Sequence, residues 1–171
     1  MNTIRKRLTL FIEKSSENIE KIRATYNPEQ FHLIPCHITL CRENEIEPIS
    51  KIIERITSIN LEKPLRIALN GPERFANGRG VFLPTTNKNT EFKALRERIL
   101  GIPLIREQQP HVTLMHPRNS TCTEAIFTEI KKQDLPTELF FNKISLIEQI
   151  NNGKWKVVDE YAIVNNNLTK D

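Results

Sequence analysis

The sequence carries one short unit twice. Pro35-Cys36-His37-Ile38-Thr39-Leu40 and Pro110-His111-Val112-Thr113-Leu114 each read as a β-strand led in by a proline. Residues i and i+2 of a strand face the same side. His37 and Thr39 therefore share one face, while Ile38 and Leu40 turn to an apolar one, and His111 with Thr113 against Val112 with Leu114 repeats the pattern. The surroundings repeat as well. The first half reads as a strand over residues 4–12, a helix opened by Ser15-Ser16 and ended by Asn27-Pro28, a strand over 37–42, a helix over 45–59 and a strand over 65–69. The 45–59 helix has Pro48 in its first turn and a stripe of Ile49, Ile52, Ile53, Ile56 and Ile59. The second half reads as a strand over 80–83, a helix capped by Thr90 and stopped by Gly101 and Pro103, and a strand over 111–115. A helix over 124–132 follows a Thr121-x-x-Glu124 capping box, and a hairpin of 139–150 and 155–164 closes around Asn151-Asn152-Gly153. This succession predicts a single α+β domain over residues 1–171. It would be bilobal and duplicated, with lobes of about 1–77 and 78–171 meeting near Asn77-Gly78. Two antiparallel sheets would line a central cleft under an approximate two-fold axis, with helices outside.

Such an axis brings the two His/Thr pairs together across the cleft, and the set suits one reaction class. Cleaving a phosphodiester needs a base to activate the attacking oxygen and an acid to protonate the departing one. Imidazole has an ordinary pKa of about 6.5, so one ring can be neutral while another is protonated near neutral pH. A hydroxyl two residues along the strand can donate to a phosphate oxygen as charge builds there. Either histidine alone would be an ordinary core or surface residue. Two copies at matching points of a repeat point to a site at His37, Thr39, His111 and Thr113, with no metal and no cofactor required.

These residues resemble the 2H phosphoesterase superfamily, which includes the bacterial 2′-5′ RNA ligase-like proteins and the 2′,3′-cyclic nucleotide phosphodiesterases. The resemblance rests on His37-Ile38-Thr39-Leu40 and His111-Val112-Thr113-Leu114. The segment from Ile144 to Glu148 through Gly153-Lys154-Trp155 and Val157-Val158 is similar to that family's closing hairpin. The resemblance implies the bilobal fold, catalytic roles for His37 and His111, and phosphate binding by Thr39 and Thr113. It also implies metal-independent chemistry on 2′,3′-cyclic phosphates or 2′-5′ linkages in RNA ends or small nucleotides. Some members carry an arginine shortly after the motif. Arg42 takes that place in the first copy, and Arg118 follows Met115-His116-Pro117 more loosely in the second. Either can clamp a phosphate. The motif leaves open which histidine is acid and which is base.

Other features carry less. His32 and His37, like His111 and His116, are five residues apart, which puts each pair on opposite faces of a strand and argues against a four-histidine metal hydrolase. Cys41 falls on the His37 face by alternation and reads as a small packing residue beside the cleft rather than a nucleophile. Phe31, Phe75 and Trp155 could stack on a base, but core packing explains them more simply. Three cysteines are too few and too odd for a disulfide framework, which together with the lack of a signal peptide or membrane span favours a cytoplasmic protein. The net charge of +4 is spread along the chain, so no extended nucleic-acid patch is expected. A monomer is plausible, and the sequence leaves the oligomeric state open. The same fold holding RNA or a nucleotide without turnover is the alternative.

Overall fold

The computed structural model describes residues 1–86, 89–103 and 108–165. The chain runs β1 (Ile4–Phe11), α1 (Glu17–Tyr26), α2 (Pro28–Leu33), β2 (His37–Cys41), α3 (Ile49–Thr57), β3 (Leu65–Ala68), β4 (Glu73–Phe75) and β5 (Gly80–Pro84). It continues with α4 (Thr90–Leu100), β6 (His111–Met115), α5 (Glu124–Lys131), β7 (Glu138–Phe141), β8 (Lys143–Ile150) and β9 (Lys156–Ala162). It is an α+β fold in which the strand pairings within the sheets are antiparallel.

The first sheet has the order β2-β1-β8-β9. The second starts β6-β5, and β4 pairs with the first part of β5. The residues just after β3 reach the far end of β5, through a Leu69–Thr85 bridge and the Asn70 N–H on the Pro84 carbonyl at 2.7 Å. β3 and β4 thus act as one strand bent at Gly71-Pro72, where proline has no N–H to give a ladder. β7 pairs outside β3. Each lobe therefore repeats one plan, with the His-x-Thr strand at the edge and β1 or β5 beside it. The halves are interleaved across residue 77: β8 and β9, late in the chain, complete the sheet begun by β1 and β2.

The duplication extends to a defect. Leu8 pairs with Cys41 and Thr9 with Thr39, so Leu40 is an extra residue on β2. Val81 pairs with Met115 and Phe82 with Thr113, so Leu114 is the extra residue on β6. The leucine of each motif therefore sits in a β-bulge, which shifts the alternation by one. Leu40 and Cys41 are both buried, as are Leu114 and Met115. Alternation alone placed Cys41 on the His37 face, but the bulge turns it into the core, where burial pushes its thiol up to about 12. All three cysteines are buried and none is in a disulfide.

Behind the two motif strands lies one apolar core. Ile38, Leu40, Val112 and Leu114 meet Leu8, Leu10, Val81 and Leu83 from neighbouring strands, with Ile19, Ile56, Phe92, Leu95 and Ile99 from helices. Each such side chain is worth roughly 1.5–3 kcal/mol on removal from water. Several boundaries differ from the sequence expectation. α3 starts at Ile49, because the residue before a proline is pushed out of helical geometry and Pro48 is itself extended. Asn27-Pro28 ends α1 but also opens α2, since proline suits a first helical turn. α4 begins at Thr90 with Asn89 in the capping position, and α5 is capped by Thr123 Oγ1 accepting from the Ile126 N–H at 3.2 Å, not by Thr121. Asn142 divides the expected 139–150 strand into β7 and β8.

α4 ends on Gly101, whose φ of 70° suits glycine. Arg55 of α3 donates to the Ile99 and Leu100 carbonyls at that end, at 3.3 and 2.7 Å. A Cβ on residue 101 would run into the Arg55 guanidinium that those carbonyls hold in place. Gly101→Ala should therefore cost about 1–2 kcal/mol, read as a lower denaturant midpoint at unchanged slope.

Candidate active site

The two motif strands meet where the lobes face each other. Gln108, just ahead of β6, donates from Nε2 to the Thr39 carbonyl at 2.9 Å, tying one motif to the other. Between them opens a cleft of about 630 Å³ that His37, Thr39, His111 and Thr113 all line, each half-buried. Arg42 and Arg118 line it too, both exposed.

The two imidazoles are held alike. Nδ1 of His37 lies 2.8 Å from the Pro35 carbonyl, and Nδ1 of His111 lies 3.1 Å from the Gln109 carbonyl. A carbonyl only accepts, so each Nδ1 carries a hydrogen and donates it. In the neutral ring Nε2 then holds the lone pair. Each ring also makes a T-shaped contact with a phenylalanine on the neighbouring strand, Phe11 for His37 (6.2 Å between centroids) and Phe82 for His111 (5.7 Å). A backbone acceptor and an aromatic wall leave each ring few other orientations.

Buried arginines brace β2 at both ends. Before it, Arg23 of α1 donates to the Ile34 carbonyl at 2.6 Å and to Glu20 at 2.5 Å, while Glu20 accepts from the Cys36 N–H at 2.7 Å. The pair grips the chain on both sides of Pro35, the residue that orients His37. After it, Arg96 of α4 donates to the Leu40 carbonyl in the bulge and to both oxygens of Glu45, at 2.7 and 3.2 Å. Glu45 also accepts from the Arg42 N–H at 2.8 Å.

Burial and nearby cations together shape the protonation of the cleft histidines. His37 is lowered to about 4, first by burial and then by the charges of Arg23, Arg7 and His111, against the Pro35 hydrogen bond that favours the protonated ring. His37 is therefore neutral at physiological pH. His116 is also lowered, by burial and by Arg118 and Arg7. It lines the cleft, and its Nδ1 accepts from the Arg118 N–H at 3.1 Å. His32 is exposed on α2, against Phe31. Among the described residues no three His, Cys, Asp or Glu side chains gather as a metal-binding group, and no helix is long and apolar enough to cross a membrane.

The cleft also holds residues that the sequence pattern did not mark. Arg5 and Arg7 come from β1, Glu43 from the loop after β2, and Gln149 from β8. Trp155, assigned to the core from sequence, lines the cleft as well. The one available signal was the alternation of Arg5 and Arg7 with Lys6 and Leu8, which puts both arginines on one face of β1.

The 2′-5′ RNA ligase superfamily is the family whose description matches this chain, over residues 12–153. Relatives that match along the chain bear the name “Putative phosphoesterase”. The one from Bacillus licheniformis is 24% identical over 164 residues, covering 91% of this chain and 96% of its own. The one from Geobacillus thermodenitrificans is 22% identical, covering 91% and 94%. Among solved structures, Escherichia coli LigT complexed with ATP superimposes with a TM-score of 0.61 at 15% identity, over 94% of this chain and 98% of its own. TT0787 of Thermus thermophilus does so with a TM-score of 0.57 at 19% identity, over 93% and 97%. At these identities the solved structures speak for the fold.

Proposed function

The chain belongs to the 2′-5′ RNA ligase superfamily of 2H phosphoesterases, and on that premise we propose that it is a metal-independent phosphodiesterase acting on 2′,3′-cyclic phosphates or 2′-5′ linkages of RNA ends or small nucleotides. One observation carries the reading: two imidazoles on a shared cleft, each tied to the backbone through Nδ1, which reserves both Nε2 atoms for the substrate. LigT has been crystallised with 3′-AMP and with phosphate, which is consistent with a nucleotide-sized ligand here.

We assign the base to His37, whose pKa is lowered by burial and by Arg23 and Arg7, and the acid to the opposite ring, His111. His37, neutral in the unliganded protein, takes a proton from water through Nε2 as the water oxygen attacks phosphorus. The bond from phosphorus to one ribose oxygen breaks, and His111 gives that oxygen the proton on its Nε2. The product carries a phosphomonoester on one ribose oxygen and a free hydroxyl on the oxygen that departed, and the two rings return to their starting states by exchange with solvent. Thr39 and Thr113 donate to the non-bridging oxygens, and Arg42 and Arg118 offset the charge that grows on them.

The test is turnover of a 2′,3′-cyclic nucleotide with a chelator present. Hydrolysis at an unchanged rate after chelation is expected. Loss of turnover that added metal restores would refute the metal-independent reading. Saturable binding with no product after long incubation would identify a non-catalytic nucleotide-binding module instead.

A further inference from the structure

The cleft, of about 630 Å³, extends beyond what a lone cyclic phosphate needs, and part of its lining is an aromatic ring on fixed guanidinium groups. Trp155 follows the β8–β9 turn, and its backbone N–H donates to the Leu33 carbonyl at 2.9 Å, which pins it beside α2. The Arg7 guanidinium lies 4.8 Å from the indole centroid and that of Arg5 5.6 Å from it. Neither arginine is loose. Glu43 accepts from Arg5 Nη2 and Nε at 2.6 and 2.9 Å and from Arg7 Nε at 2.8 Å, while Gln149 accepts from Arg5 Nη1 at 3.1 Å. Glu43 is ionised: burial alone would raise its pKa, but the hydrogen bonds of Arg7 and Arg5 lower it to about 2. Two arginines and one carboxylate leave a net single positive charge. Among the described residues nothing accepts from Arg7 Nη1. Arg7 also lies close enough to His37 and His116 for its charge to act on both, and it lines the same cleft as the indole it packs against.

A tryptophan that only covered arginine stems would be a packing residue. Here the ring is half-buried, lines the same cleft as the histidines, and sits on cations held rigid by Glu43. A π-face of this kind takes a nucleobase of any sequence, and the adjoining guanidinium takes a phosphate. We propose that the Trp155 part of the cleft is a nucleoside subsite. The base next to the scissile phosphate stacks on Trp155, and Arg7 holds a further phosphate of the same strand. The position of the scissile group rests on the phosphodiesterase reading above; the stacking does not.

Trp155 is the only tryptophan in the chain, so the unmodified protein reports on the subsite through its own fluorescence. A dinucleotide ending in a 3′-phosphate should quench the emission saturably, while ribose 5-phosphate and inorganic phosphate should not. Arg7→Gln, checked for an intact fold by its melting curve, should raise the midpoint of that quench roughly tenfold. In Trp155→Leu, affinity for the dinucleotide measured by calorimetry should fall roughly 5- to 150-fold, and its advantage over ribose 5-phosphate should disappear. Emission that does not respond to the dinucleotide would overturn the proposal, and so would a Trp155→Leu variant that keeps the preference. Hydrolysis of a cyclic phosphate without quenching would defeat the subsite and leave the enzyme reading standing. Quenching without hydrolysis would do the reverse.

Discussion

Replacing His111 by alanine should slow cleavage of a 2′,3′-cyclic nucleotide by about 10²–10⁴-fold, and His37→Ala should do comparable harm. The pair is equivalent in anchoring, with one Nδ1 on a carbonyl and one T-shaped phenylalanine contact for each ring, so each imidazole is held in its own place and the one that remains serves a single proton transfer. Their roles still separate in a substrate that needs no acid. A p-nitrophenyl phosphodiester expels a stable phenolate, so His111→Ala should recover most of its loss there while His37→Ala should not. Recovery by His37→Ala instead would reverse the assignment, and full activity in either variant on the cyclic substrate would end it. The pH dependence has a definite sign. A base works in its neutral form, and the pKa of His37 in the free protein is lowered to about 4, by burial first and then by Arg23 and Arg7. The acid limb of kcat/KM should lie near that value, well below the ordinary histidine range, with activity falling as pH drops through it.

The largest loss of stability is expected at Glu45→Ala, about 3 kcal/mol. Arg96 is 1% exposed and its charge is met mainly by Glu45. Removing the carboxylate leaves a buried guanidinium facing the Leu40 carbonyl alone, with Nε already lacking a partner. For a chain of this size that corresponds to a fall of roughly 6–12 °C in Tm. The double variant Glu45→Ala with Arg96→Met should regain part of the loss, since an apolar side chain has no charge to strand; a double variant less stable than the single one would refute this account. Burial alone would raise the Glu45 pKa, but Arg96 and the Arg42 N–H hold it below the ordinary carboxylate value. A depressed carboxylate contributes stability above its unfolded pKa and loses it as pH falls through its folded one. The gap between wild type and Glu45→Ala should accordingly narrow in acid.

Local period explains what could be read from the chain. His37 with Thr39, and His111 with Thr113, are two residues apart, and a strand turns that spacing into a shared face whatever packs around it. The isoleucine stripe of α3 and the glycine at the end of α4 are likewise local facts. Reading failed where one residue changes the period or a partner lies far along the chain. Cys41 left the cleft because Leu40 bulges. The expected start of α3 was displaced by Pro48, which freed Glu45 to reach Arg96. Trp155 looked like a core aromatic because its neighbours Arg5 and Arg7 lie at the opposite end of the sequence.

By itself, then, the sequence determined the α+β succession, its duplication and the two His-x-Thr faces, all of which depend on contacts within a few residues. Only the tertiary structure decided that β8 and β9 cross to complete the first sheet, that the motif strands become edges facing one another, and that arginines from β1, α1 and α4 surround the first motif. Those outcomes depend on hydrogen bonds and ion pairs between distant segments, and a linear pattern of side chains carries no record of which distant partner each will find.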